Sequence, residues 1–221
     1  MRPAVYTFIV QDLNAVAAKQ VTTAAGGLVI NGTYADGMQV GTSGQSATPV
    51  GGFQYAVALN CSGDMSALNF TVLGDNAYGQ TVSQTLSGPN GGVVYTTTQF
   101  AKVRAVTTDA AVTVSTSIGV GGNGSSRPFT VDTFKNPVNI NCDVLLTAAA
   151  TLFLQSTDQN IQGATLSGLP ASSLTWGNVS SISGVTASAN ALLTAPQRSL
   201  RFTVSGANAA GTVRGTLTQA G

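Results

Sequence analysis

Hydrophobic and polar residues alternate with a period of two along much of this chain. Val57, Leu59 and Cys61 share one face of an extended segment, and the residues between them share the other. The same period is found in residues 68–72, 112–118, 200–205 and 213–217. This period indicates strands with one dry and one wet face, as in antiparallel sheets. The pattern therefore predicts an all-β protein.

Clusters of Gly, Asn, Asp, Ser and Pro separate these segments. They are "GDNAYGQ" (74–80), "SGPNGG" (87–92), "VGGNGSSRP" (120–128), "SGLPASS" (167–173) and "SGANAAGT" (205–212). Such residues supply a positive or preset φ, so each cluster predicts a turn. Turns spaced roughly 8–12 residues apart are typical of a sandwich or barrel. Only "DLNAVAAKQ" (12–20) and "NALLTAPQ" (190–197) suggest a helical turn.

Matched features in two parts of the chain indicate an internal duplication. Asn60-Cys61 recurs as Asn141-Cys142, and "TLSG" is found at 85–88 and at 165–168. "FAKVRAV" (100–106) and "WGNVSSI" (176–182) both have a large aromatic residue followed by aliphatic residues three and six positions later. Because the matches keep their order, they predict two tandem β units of common ancestry.

The predicted fold consists of two tandem antiparallel β-sandwich units, of jelly-roll or Ig-like type, with an extended N-terminal segment. Residues 53–126 and 127–221 form the units. Residues 1–52 form an arm with one or two strands, the better of which is "VYTFIV" (5–10). The alternation in "VYTFIV" favours a strand over a secretory signal, so we expect synthesis in the cytoplasm. The segment "GTSGQSATPVGG" (41–52) has the composition of a flexible linker.

Composition narrows the possible partners and chemistry. Only 8% of the residues are charged, against a typical value of about 25%. The formal net charge is +1 and the nine basic residues are scattered, so we expect no nucleic-acid partner. No apolar run approaches the roughly 20 residues that span a bilayer, so we expect no membrane partner.

The chain contains no His and no Glu, which removes most acid–base chemistry. Sites of the Ser-His-Asp or Cys-His type are excluded, and a glycosidase would need two cooperating Asp residues. Asp64 and Asp75 are each typical of a turn. No pattern marks Lys19, Lys102 or Lys135 as a nucleophile. We therefore expect no enzyme, no catalytic residue and no cofactor.

Metal and disulfide sites are not expected either. "GDNAYGQ" is rich in oxygen atoms but lacks the Asp series and terminal Glu of an EF-hand loop. Cys61 and Cys142 hold equivalent places in separate units, whereas a disulfide needs Cα atoms within about 7 Å, so we expect buried free thiols. Trp176, as the counterpart of Phe100, is expected in the core rather than stacked on a ligand.

A β-rich chain with few charges is prone to association through its sheet edges. Native proteins of this kind cover their edges, often within a permanent oligomer. Scarce charge also suits broad interfaces, whose cores are depleted of Lys, Glu and Asp. We expect a homo-oligomer or a place in a larger shell.

One stretch has a distinctive order of elements, "LNFTVLGDNAYGQTVSQTLSGPNGGVVYTTTQFAKVRAVTTDAAVTVSTSIG" (68–119). A strand ends in a Gly/Asp/Asn turn, "TLSGPN-G" leads into "TTTQFAKVRAV" (96–106), and a Ser/Thr/Val strand ending in Ile-Gly closes it. This stretch, about a quarter of the chain, resembles a module of tailed-bacteriophage structural proteins. The second unit departs from it, because "TLSGLPASS" replaces the Pro-Asn-Gly-Gly turn and Trp176 replaces Phe100.

The resemblance implies a virion component made in the host cytoplasm. Among virion roles, a capsid decoration or cement protein is the first expectation, with the major capsid protein or other virion proteins as partners. The alternative is a tail, neck or fibre component that contacts the host, for which Tyr78 and Tyr95 are the aromatic candidates. An exported bacterial adhesin or carbohydrate-binding module is a third class, and it would require export.

Overall fold

The computed structural model describes residues 3–36, 46–48, 53–134, 138–161, 174–194, 197–207 and 210–220. Within these residues the chain forms 18 strands in antiparallel sheets, which confirms the all-β prediction. The strands are β1 (Ala4–Phe8), β2 (Asp12–Gln20), β3 (Gly26–Gly27), β4 (Ala35–Asp36), β5 (Ser46–Ala47), β6 (Gln54–Asp64), β7 (Asn69–Asp75), β8 (Thr81–Ser87), β9 (Asn90–Phe100), β10 (Lys102–Thr108), β11 (Thr116–Ser125), β12 (Phe129–Thr130), β13 (Asn139–Leu146), β14 (Thr151–Thr157), β15 (Gly177–Asn178), β16 (Ala189–Leu193), β17 (Ser199–Ser205) and β18 (Val213–Ala220).

The chain divides into two compact units. One is Gln11–Gly121, here called the continuous unit, and the other combines Met1–Val10 with Gly122–Gly221 and is called the split unit. The division falls inside β11. The predicted division gave residues 1–52 to an arm, whereas in the structure β1 pairs within the split unit and β2 within the continuous unit. The two units therefore interleave along the chain.

The continuous unit consists of two sheets with a shared core. One sheet has the order β2-β11-β6-β9, and the other has the order β4-β5-β10-β7-β8, with β3 beside β10. Both sheets send side chains into one buried cluster, as the alternation predicted. Its members include Val57, Leu59 and Cys61 of β6, Phe70 and Val72 of β7, Val103 and Val106 of β10, and Ile118 of β11.

The split unit is built in the same way. One sheet has the order β1-β18-β13-β16. In the other, β17 pairs with β14 on one side and with β12 and the end of β11 on the other, and β15 lies beyond β14. The two sheets meet where the rings of Tyr6 in β1 and Phe202 in β17 lie 5.7 Å apart, centroid to centroid. Phe202 is fully buried.

The order of strand pairing is the same in both units. In one sheet of each unit, β2, β11, β6 and β9 correspond in order to β1, β18, β13 and β16. In the other sheet, β5, β10, β7 and β8 correspond to β12, β17, β14 and β15. Eight strands that pair in this order in two sheets form a jelly roll, to which β3 and β4 are additional in the continuous unit. The repeated order supports the predicted duplication, which stays a hypothesis about ancestry.

The repeated order also revises the sequence alignment. The Asn-Cys pairs lie on β6 and β13, which correspond, so this match agrees with the structure. The match of "FAKVRAV" with "WGNVSSI" does not, because the structural counterpart of β10 is β17. The second "TLSG", together with "SGLPASS" and most of "GTSGQSATPVGG", lies outside the described residues.

Three local predictions were wrong. The helical suggestions fall on β2 and β16, where packing in a sheet outweighs the helix propensity of Ala and Leu. A turn was predicted for "VGGNGSSRP" (120–128), but β11 continues through this segment as far as Ser125. Glycine is needed in β11 for close packing, since a Cβ at Gly121 would overlap the ring of Tyr95.

A glycine in the split unit gives a direct test of the core packing. A Cβ at Gly215 of β18 would overlap the buried ring of Phe202, so we expect Gly215→Ala to lower the free energy of unfolding by about 1–3 kcal/mol. The matched control is Gly177→Ala, since a Cβ there meets no atom within 4 Å. Urea denaturation of both variants measures the difference, and equal stabilities would contradict the packing.

Candidate interaction surface

The carboxylates at two strand ends are held by hydrogen bonds that close local structure. Asp64 Oδ1 accepts hydrogen bonds from the Ser66 hydroxyl at 2.6 Å and from the Ser66 backbone N–H at 2.9 Å. Asp109 accepts from the Asn69 backbone N–H at 3.0 Å and from its side-chain amide at 2.7 Å. These bonds lower the pKa of both carboxyls, because they favour the charged form. Both groups are therefore turn and strand-end residues with little basicity.

The oxygen-rich segment "GDNAYGQ" is a turn whose oxygen atoms already have partners. Asp75 Oδ2 accepts from Arg104 Nη2 at 2.7 Å and from Arg104 Nε at 2.9 Å. Asn76 Oδ1 accepts from the backbone N–H groups of Tyr78 and Gln80, and Gly79 adopts a φ of 76°. Within the described residues, no group of three or more His, Cys, Asp or Glu side chains is placed to hold a metal.

The lysines and a cavity of the split unit offer little for catalysis. Lys19 is exposed on β2, Lys102 is half-buried on β10, and Lys135 lies outside the described residues. A cavity of about 290 Å³ in the split unit is lined by residues 130, 131, 133, 159–161, 198 and 199, among them Gln159 and Arg198. Hydroxyl, amide and guanidinium groups can hydrogen-bond a small polar ligand, and the described part of the lining includes no side chain of the kinds that usually act as a general base.

Both cysteines are buried free thiols, as the sequence predicted. Cys61 lies on β6 and Cys142 on β13, so they occupy corresponding strands of different units. Burial raises the pKa of the Cys142 thiol to about 12, and the neighbouring Asp143 carboxylate adds to the rise. The protonated form predominates at neutral pH, which makes Cys142 a poor nucleophile.

Trp176 and Tyr95 differ from their predicted settings, whereas Tyr78 lies in the predicted turn. Trp176 is half-buried rather than part of the core, and the guanidinium carbon of Arg201 lies 4.2 Å from its ring centroid. Tyr95 lies on β9 with its hydroxyl accepting a hydrogen bond from Gln11, and Tyr78 lies in the turn after β7. Cation–π stacking covers one face of the Trp176 ring, so that face is closed to a ligand.

The outward side of the β1-β18-β13-β16 sheet in the split unit is here called the outer face. Its outward-pointing residues form rows across the strands. One row is Val5, Thr216, Asp143 and Asn190, and the next is Thr218, Asn141 and Leu192. A third row is Thr7, Arg214 and Leu145, so the face carries the charges of Asp143 and Arg214 among hydroxyl, amide and aliphatic groups. A surface with so few charges is suitable for contact with other protein.

The two edges of this sheet lack the usual protection against association. β1 ("AVYTF") and β16 ("ANALL") contain no charged residue and no proline. Val5 on β1 is 54% exposed and Leu192 on β16 is 63% exposed. Within the described residues, each of these strands pairs on one side only. Soluble proteins normally protect such edges with Lys, Pro or a bulge, so these two edges are open to pairing with another strand.

Sequence reasoning did not find these exposed residues. Val5 and Leu192 lie in apolar runs, where the pattern leaves open which residue faces outward. A third exposed residue, Phe134, follows β12 and is 98% exposed, with its backbone N–H donating to Asp132 Oδ1 at 3.1 Å. The useful signal was Asp132, two residues before Phe134, because an Asp side chain that accepts from the backbone two residues on forms an Asx turn.

Comparisons with protein-family models, with curated proteins and with solved structures find no match for this chain. Among the described residues, no helix combines the length and the hydropathy needed to cross a membrane.

The buried thiols give a prediction for the native protein. We expect neither Cys61 nor Cys142 to react with an aromatic disulfide reagent at pH 8 in the native state, because both side chains are buried. Both should react in denaturant, where they are exposed. Rapid reaction of one equivalent in the native state, measured by absorbance, would contradict this burial.

The raised pKa of Cys142 also predicts an alkaline loss of stability. Its folded pKa of about 12 lies above the ordinary thiol value, so the native state retains the proton when the unfolded state has released it. The contribution of Cys142 to the free energy of unfolding is complete below the ordinary thiol pKa and is lost as pH rises towards 12. Urea denaturation between pH 8 and pH 11 should show a shallower decline in Cys142→Ala than in the wild type. An equal decline of stability with pH in the two proteins would contradict the raised pKa of Cys142.

Proposed function

We propose that this chain is a non-enzymatic structural protein of a bacteriophage particle, and specifically a capsid decoration protein that binds across neighbouring capsid subunits. The observation that carries the proposal is the outer face with its uncharged edge strands β1 and β16 and its exposed Val5 and Leu192. A surface of this composition is suited to broad and close contact with other protein.

The mechanism follows from burial of this face. Covering an exposed aliphatic side chain stabilises a complex by about 1.5–3 kcal/mol before the costs of association are subtracted. A protein that binds the assembled head, and not its separated subunits, stabilises the assembled state by mass action. Many copies on one head add their contributions, so rupture of the shell under internal pressure becomes less favourable.

The particle assignment is supported by the resemblance of residues 68–119 to a phage structural module. These residues include β7–β10 and the first part of β11, all in the continuous unit. The outer face belongs to the split unit, so the resembling module and the proposed contact surface are separate parts of the chain. The partners we propose are the major capsid protein and further copies of this chain, and the location is the virion surface.

A second candidate function is a tail, neck or fibre component that contacts the host. Phe134 favours it, because an aromatic side chain that is 98% exposed at a turn is typical of an interface anchor. Such a component would be present at far lower copy number than a decoration protein. The two functions therefore differ in a quantity that can be counted.

The stoichiometry of this chain in purified particles tests the proposal. For a decoration protein we expect hundreds of copies on each DNA-filled head, measured by quantitative mass spectrometry against the major capsid protein. A dozen copies or fewer would favour the neck or tail function. Absence from purified particles would reject both.

A substitution on the outer face tests the contact surface. We expect Leu192→Lys to weaken binding to heads that lack this protein by roughly tenfold or more, since a charge at an interface core must lose its hydration. Leu73→Lys is the matched control, because Leu73 is a 39% exposed aliphatic residue on β7 of the continuous unit. Co-sedimentation with heads measures both. Equal binding by the two variants would exclude Leu192 from the contact.

A further inference from the structure

The first strand of the split unit is not adjacent in sequence to the rest of that unit. β1 pairs with β18, while the whole of Gln11–Gly121 lies between Val10 and Gly122. In the continuous unit the corresponding strand, β2, belongs to the same stretch of chain as its partner β11. Each unit therefore has a strand that pairs with its last strand. In the continuous unit this strand comes from the same stretch of chain, and in the split unit it comes from the far side of the continuous unit in the sequence.

The connection between the units leaves no residues for a local first strand. β11 pairs with β2 from Thr116 to Val120, and then with β17 at Gly124 and Ser125. β11 thus belongs to the continuous unit as far as Gly121, and from Gly124 it already pairs with β17 of the split unit. The place beside β18 must be filled from elsewhere, and β1 fills it.

β1 is suited to bind as a separate segment. Its five residues are in register with β18 from Ala4 opposite Leu217 to Phe8 opposite Val213. Tyr6 and Phe8 point inward and are 5% and 4% exposed, and the ring of Tyr6 contacts Phe202. Backbone pairing combined with alternate side chains in pockets is the mode by which extended peptides add to a sheet edge.

We propose that β1 is an exchangeable strand, and that the place beside β18 in one copy accepts the β1 of a second copy of this chain. The second copy offers the same five residues, so exchange recreates every contact between β1 and β18. Only three residues, Ile9–Gln11, separate β1 from β2, and short connections of this kind favour exchange between copies.

Exchange has two structural consequences. A reciprocal exchange closes into a two-fold dimer, whereas one-way donation links copies head to tail. Both are favoured by high protein concentration, as on a crowded surface. This inference does not rest on the proposed function, and its failure would leave the outer face and the copy-number test unaffected.

Engineered cysteines on full-length chains capture the exchanged strand. Val5 and Thr216 lie opposite each other on the outer face, and neither contributes to the core. Val5→Cys is prepared with one tag and Thr216→Cys with a tag of different size. The two are mixed at high concentration, both as folded proteins and after refolding together from denaturant, and are then oxidised. A disulfide heterodimer on a non-reducing gel reports β1 of one copy beside β18 of the other.

The expected yield of heterodimer exceeds that of random collision by roughly tenfold or more, because pairing raises the effective concentration of the two thiols towards the millimolar range. The collision control mixes Val5→Cys with Thr85→Cys, which places an exposed thiol on β8 of the continuous unit. A yield no higher than this control after joint refolding would overturn the proposal.

A double variant on one chain supplies the positive control. Val5→Cys/Thr216→Cys, oxidised in dilute solution, should form an internal disulfide that locks β1 in place. The locked protein should neither donate nor accept a strand in the mixing experiment. Failure of the internal bridge would contradict the β1–β18 register, and with it the proposal. Thermal unfolding of each single variant verifies that the chains fold as the wild type does.

Discussion

Burial of inward-facing side chains between two sheets is the constraint on which both units depend. In the continuous unit the rows on β6, β7 and β10 meet in one cluster, and in the split unit Tyr6 reaches Phe202 across the core. Once the inner faces are filled, the outer faces are left for residues that tolerate water. In a chain that is only 8% charged, these are mainly Thr, Ser and Asn. The hydroxyls of Thr71 and Thr85, 2.8 Å apart on neighbouring strands, illustrate the result.

The fold class was predictable because it depends on local alternation. Val57, Leu59 and Cys61 lie in the core as the period of two requires, and so do Leu200, Phe202 and Val204. The turn at "GDNAYGQ" was also predictable, since Asn76 and Gly79 carry its geometry. The buried thiols followed from their places on these strands.

Features that depend on distant parts of the chain were not predictable in this way. Nothing local in "AVYTF" indicates that its partner is β18 rather than its neighbour β2. The glycines of β11 were taken for a turn, because the ring of Tyr95 that requires Gly121 comes from another strand. The outward direction of Val5 and Leu192 likewise depends on which edge each strand occupies. Long-range pairing therefore limits what the sequence pattern can predict here.

One strand of the split unit is both free of charged residues and distant in sequence from the rest of its sheet. β1 is both the strand supplied from across the intervening unit and one of the two uncharged edges. A charged residue on β1 would protect the edge, but inward positions could not accept it next to Phe202, and the outward positions are occupied by Val5 and Thr7. A strand that must dock by apolar contacts thus leaves its sheet unprotected. The strand that completes the split unit is therefore also an unprotected edge of its sheet.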